Sequence, residues 1–181
     1  MSSTLSEDRQ TVGFGSVDAR SARRPAVIAA PHPMSPIMPV SLDTQPIGPG
    51  VSRVRASDLQ QATTVYNRMH AEDHNAVVSL DLEFVIAPTA RAARAIPVKS
   101  RPRDGDSTAT VRYVGTPLGL AGLIADVGAA RVADGVNLIP LDYSASVELL
   151  VSSTLPKLVG DGVIDSETAA ALRAAASSDR R

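Results

Sequence analysis

The sequence predicts an α/β fold in which parallel strands alternate with helices, and two stretches carry the prediction. From Val77 to Ile86 the chain alternates, with Val78, Leu80, Leu82, Phe84 and Ile86 set against Val77, Ser79, Asp81, Glu83 and Val85. That is the two-residue period of a strand whose sides meet different surroundings. Val136-Asn137-Leu138-Ile139, closed by Pro140, is a short apolar run between two segments of helical periodicity. Its length and residue types suit a strand buried in a parallel sheet. A strand held between two helices is a piece of layered α/β architecture.

In chain order, residues 1–24 are polar, of mixed charge and without apolar periodicity, and read as a disordered leader. Pro25 to Ala30 (PAVIAA) reads as a short buried strand. Residues 31–50 hold six prolines with Gly48 and Gly50, a long irregular connection, since each proline removes a donor and restricts its predecessor. Val51 to Ala56 reads as another short strand. Ser57 with Gln60 three residues on is a capping-box signature for a helix burying Leu59, Ala62, Tyr66 and Met69 and ending near His70. The alternating strand follows, then a short helix from Thr89 to Ala95 stopped before Pro97, and a charged loop over 97–110. Thr116 caps a helix that begins on Pro117, where a missing N–H costs nothing. Leu120, Leu123, Ile124 and Val127 give it one apolar stripe. After the buried strand, Ser144 caps a helix with a stripe of Val147, Leu150, Val151, Thr154 and Leu155. Gly160-Asp161-Gly162 turns the chain, Asp165 or Ser166 starts a last helix over 168–176, and 177–181 is a polar tail. The expected organisation is a leader (1–24), one α/β domain (25–176) and the tail.

Composition narrows the function classes. A net charge of −1 gives no general electrostatic grip on nucleic acid or an anionic membrane. The absence of cysteine removes disulfides, thiolate metal sites and thiol chemistry. Tryptophan is absent and aromatics are few, so stacking platforms for bases are not expected. No apolar run reaches the ~18 residues of a membrane-spanning helix. Arg23-Arg24 precedes an apolar run that Pro31 and Pro33 interrupt too early for a twin-arginine signal, so a cytoplasmic location is expected.

Three groups of residues have the composition of a site. Asp81 and Glu83 lie on one face of one strand, about 7 Å apart at ~3.3 Å per residue, the range of a paired-carboxylate acid/base device. The alternatives are that they face solvent or meet an arginine such as Arg112 on a neighbouring strand. His70 and His74 are four apart, as in a zinc helix, but Ala71 stands where H-E-x-x-H has its glutamate and the helix is ending, so they read as a charged helix-to-strand turn, with zinc ligation the alternative. Tyr113 and Tyr143 either line a cleft or pack half-buried, and the Arg/Lys of residues 91–103 read as a solvated face.

Gly115-Thr116-Pro117 opening a helix, Asp134 to Pro140 as a strand and Leu155-Pro156-Lys157-Leu158 closing a helix together resemble the C-terminal end of the luciferase-like flavin-dependent monooxygenases. The likeness is to the nitrilotriacetate and alkanesulfonate monooxygenase branch. Val78 to Ala87 followed by Thr89 is similar to the strand and helix before it. The match covers residues 76 to 159 and reaches back more weakly to about residue 25. The resemblance implies part of a (β/α)₈ barrel, its last strands and helices, because a whole barrel takes ~250 residues and at least about 200. It also implies oxidation of a small organic substrate by O₂ with reduced FMN from a separate flavin reductase, with no nucleic acid or membrane partner. The turn after PAVIAA would then be the phosphate-contacting region, with His32 and Ser35 as the cofactor-binding candidates; the alternative is a solvent-facing loop. No catalytic residue carries over, since the family's catalytic groups lie mainly in N-terminal strands that this truncated chain lacks. The competing expectation is a non-catalytic remnant or subunit that completes its sheet with another chain, in a homo-oligomer or with a partner, because an open barrel leaves unpaired edges.

Overall fold

A computed structural model describes residues 38–43, 45, 48–98 and 109–178. It confirms the α/β prediction: five parallel strands alternate with helices. The strands are β1 (Val40–Leu42), β2 (Val51–Val54), β3 (Val77–Ile86), β4 (Val111–Gly115) and β5 (Gly135–Pro140). The helices are α1 (Leu59–Glu72), α2 (Ala90–Ala95), α3 (Pro117–Ala129), α4 (Tyr143–Leu149), α5 (Leu155–Gly160) and α6 (Ser166–Ser178).

The sheet is ordered β1-β5-β3-β2, and β4 also pairs with β3. At ten residues β3 is long enough to serve three partners. One of its edges pairs Ser79–Phe84 with β5. Its other edge is divided: Val77–Leu80 takes β2, and Leu82–Ile86 takes β4. From β2 the chain crosses to β3, returns to the β2 side of β3 as β4, and then passes over β3 to place β5 on its opposite edge. β1 pairs with the far edge of β5.

The two sides of the sheet differ. The even positions of β3, with Val40, Leu42, Val136 and Leu138 brought beside them by register, form the core. Against them pack Ala62 of α1, Leu120, Ile124 and Val127 of α3, Val147 of α4, Leu155 and Leu158 of α5, and Ala169, Leu172 and Ala176 of α6. The odd positions of β3 face the other way and carry the charge.

Local chemistry sets the helix ends. Thr116 caps α3 as expected, its side chain accepting from Gly119 N, with Pro117 in the first turn. Two Schellman turns close helices. Val132 N and Arg131 N bond back to Val127 O and Gly128 O, while Val163 N and Gly162 N bond to Leu158 O and Val159 O. Gly162 sits at φ +70°, the conformation glycine tolerates, but Arg131 holds the equivalent position at φ +53°. Between α4 and α5 the chain makes a π-turn, Leu150–Thr154, in which Leu155 N reaches back five residues to Leu150 O. Pro156 explains it: in a regular helix its ring would collide with the Ser152 carbonyl, and the wider turn relieves the clash.

Several expectations are corrected. The 31–50 connection contains a strand, β1. Asp58, not Ser57, caps α1, accepting from Gln61 N, and the helix runs to Glu72 rather than His70. Ser144 lies inside α4, which starts at Tyr143 after Asp142. The last helix spans Ser166–Ser178, capped by Asp165, so the first two residues of the expected tail are helical. The leader and the PAVIAA strand lie outside the described residues. No helix among the described residues is long and apolar enough to cross a membrane.

Candidate functional site

Strand alternation places Ser79, Asp81 and Glu83 on the face of β3 opposite the core, and register assembles a polar cluster around them. Asn137 of β5 is the direct partner of Asp81, Ser41 of β1 is the partner of Asn137, and Arg53 of β2 is the partner of Ser79. Asp81 is 0% exposed. Its Oδ1 accepts from Arg53 Nε at 2.8 Å and Asn137 Nδ2 at 2.9 Å. Its Oδ2 accepts from Arg53 Nη2 at 2.9 Å and Arg55 Nε at 3.1 Å. Ser41 Oγ donates to Asn137 Oδ1 at 3.1 Å, and Arg53 Nη2 also reaches Asp43 Oδ1 at 3.1 Å.

A buried carboxylate survives only when paired and hydrogen-bonded, and this one has four donors on two oxygens. Burial pulls the Arg53 guanidinium down, but the hydrogen bonds and charges of Asp81 and Asp43 outweigh it and hold it above its ordinary value. Two guanidiniums and two carboxylates leave the cluster neutral. With its oxygens occupied, Asp81 has no lone pair to spare for proton transfer. The arrangement instead offers nitrogen donors: Arg55 engages Asp81 through Nε, and its side chain is 26% exposed.

Glu83 meets Arg112, its direct register partner, through Nε at 2.8 Å and Nη2 at 2.7 Å. Asp81 and Glu83 therefore share a face, as the strand period required, but Asp81 is paired with Arg53 and Arg55 and Glu83 with Arg112. This is the structural alternative to the acid/base pair, with Arg112 on Glu83 as foreseen and the Arg53/Arg55 pairing of Asp81 unforeseen. The Arg53-x-Arg55 spacing at the end of β2 and just beyond it was the available signal, but only the β2–β3 register shows which carboxylate it meets.

The other candidates have local roles. Asp134 gathers Tyr66 Oη at 3.2 Å, His70 Nε2 at 3.1 Å and Val78 N at 2.9 Å, tying α1 to the start of β3. Burial and the Asp134 charge raise the Tyr66 phenol above its ordinary range. His74 Nδ1–H donates to His70 O at 2.6 Å at the helix end. The two imidazoles thus serve different partners, and no cluster of three His, Cys, Asp or Glu among the described residues could hold a metal. Tyr113 and Tyr143 are half-buried against the core, and Tyr113 Oη donates to Thr116 O at 3.2 Å. His32 and Ser35 lie outside the described residues.

The same face opens into a cleft of about 370 Å³ at the amino ends of the strands, reached by Ser41, Val51, Val77, Ser79, Gly135 and the first turns of α6. The chain matches no protein-family model and no curated protein.

Proposed function

We propose that this chain is a relative of the C-terminal part of the luciferase-like flavin-dependent monooxygenases, acting on a small organic substrate with O₂ and reduced FMN from a separate reductase. The observation that carries the reading is the wall-like sheet. Its strands are all parallel, with core-forming helices on one side and a charged network on the other. A segment of a (β/α)₈ barrel has that construction, with helices outside and functional groups inward.

The residues present fit the anionic part of such ligands. Arg55 is anchored by Asp81 through one nitrogen, which leaves its two Nη groups for a phosphate or carboxylate. Bound flavin would supply the redox chemistry; the chain's own part is to orient anionic groups on the Arg55 side of the network and to exclude water. Anaerobic titration with reduced FMN, read by fluorescence or calorimetry, tests the reading. Saturable micromolar binding that weakens about tenfold in Arg55→Gln is expected. No binding by a sample shown to be folded would overturn it.

A second reading has its own support. The outer edge of β2 has no strand against it among the described residues, and an open edge accepts a strand from another chain. On this reading the protein is a non-catalytic subunit that completes its sheet with a partner or a second copy. A defined dimer or complex by light scattering, together with no flavin binding, would favour it.

A further inference from the structure

We infer that the cleft at the amino ends of the strands is a binding site for a small apolar molecule bearing an ammonium group, independent of the flavin reading. Its walls are Pro39, Val40, Val51, Val77 and Ala171, and its volume of about 370 Å³ lies within the ~300–1,000 Å³ typical of small-molecule sites.

Three observations define the occupant. First, Ser79 is 7% exposed and lines the cleft, and its hydroxyl makes no hydrogen bond among the described residues. The hydroxyl opens onto the cleft, where it is free to donate to or accept from a ligand atom. Its neighbour across the sheet is Gly135, whose lack of a side chain keeps the space above the hydroxyl open. A Cβ there would lie 2.8 Å from Pro39 O, on the cleft wall. Second, the charged side chains that line the cleft are Asp165 and Glu167, both acidic, and no lysine, arginine or histidine lines it. Third, Asp165 Oδ1 accepts from Thr168 N at 2.7 Å, which fixes the carboxylate at the mouth and holds its pKa below the usual carboxylate value. It is therefore ionised at neutral pH, and Glu167 stands beside it in the same turn.

A carboxylate-bearing ligand would be repelled at that mouth, and a neutral one would leave the charges unused. An ammonium group would lie between Asp165 and Glu167, its apolar body would cover Val51 and Val77, and a polar atom at its far end would reach the Ser79 hydroxyl. Val77 is 36% exposed in the described structure, and such a ligand would cover it.

Titration of the ¹⁵N-labelled full chain with benzylamine, benzyl alcohol and benzoate, followed by amide shifts, tests the inference. Saturable benzylamine shifts confined to β1, the start of β3 and the first turns of α6 are expected. The alcohol should bind at least about tenfold more weakly, and benzoate should give no saturable shifts. Asp165→Asn with Glu167→Gln should weaken benzylamine about tenfold while α6 stays formed, because asparagine is as good a cap as aspartate. Ser79→Val should block the floor and abolish binding, with the spectrum of the free protein otherwise retained. Benzoate binding as well as benzylamine, shifts spread over other surfaces, or no saturable binding of any probe would overturn the assignment. Flavin titrated into the same sample reports separately, so failure here does not touch the flavin reading.

Discussion

Asp81→Asn is the most informative single change, because the substitution keeps shape and removes only charge and one acceptor. Each carboxylate oxygen serves two donors: Arg53 Nε and Asn137 Nδ2 on Oδ1, Arg53 Nη2 and Arg55 Nε on Oδ2. Whichever oxygen becomes an amide nitrogen, two of the four hydrogen bonds turn into donor–donor contacts. Bonds to a charged partner are each worth ~1.5–3 kcal/mol. Breaking a buried ion pair from one side costs ~3–5 kcal/mol. The arginine side chains are 28% and 26% exposed and can turn partly to water, which places the loss near the bottom of that range, at about 3 kcal/mol. For a chain of this size that corresponds to a fall in Tm of roughly 6–12 °C. Urea unfolding followed by circular dichroism measures it as a lower midpoint at constant slope. Glu83→Gln is the internal comparison. Its pair with Arg112 is more open, with side chains 14% and 36% exposed, and should cost under about 1 kcal/mol. The reasoning is refuted if Asp81→Asn costs under about 1 kcal/mol, or if the two substitutions cost the same.

The two Schellman turns make opposite predictions. Arg131→Gly should raise stability by about 1 kcal/mol and Gly162→Ala should lower it by about as much, since both positions have positive φ; equal signs in thermal melts would contradict the account. The helix caps predict the acid limb of stability. Asp58 is held below its ordinary pKa by the Gln61 backbone N–H and Ser57, and Asp165 by the Thr168 backbone N–H. A depressed folded pKa means the unfolded chain binds protons first, so this stability is present above about pH 4 and lost as pH falls through the folded values. Urea midpoints from pH 6 to 3 should fall less steeply in Asp58→Asn/Asp165→Asn than in the parent, and parallel curves would sink the idea.

What the sequence made legible follows its strongest periodicities. The alternation at 77–86, the Thr116-Pro117 start and the 120–127 stripe each state a local preference that tertiary packing then agrees with. β1 was hidden because Val40-Ser41-Leu42 is too short for periodicity and sits between Pro39 and Asp43. It becomes a strand only because β5, far along the chain, presents an edge to it. Ser57 and Asp58 are adjacent residues of equal capping chemistry. The side chain of Gln61, which accepts from Ser57 N and Oγ, accompanies the choice of Asp58. The Asp81 cluster was half legible: two carboxylates on one face follow from spacing, whereas their partners follow from register, which no local window contains. The π-turn had a visible cause in Pro156, but its form depends on the helix continuing on both sides.

The pairing of β1 with β5 also sets an order of events in folding. Ser41 and its partner Asn137 are 96 residues apart in the chain. At ~5–20 residues per second, a ribosome makes the first of them roughly 5–20 s before the second exists. The earliest described strand is therefore the last to find its place. It has three residues to hold it there, so amide exchange should find it the first to leave.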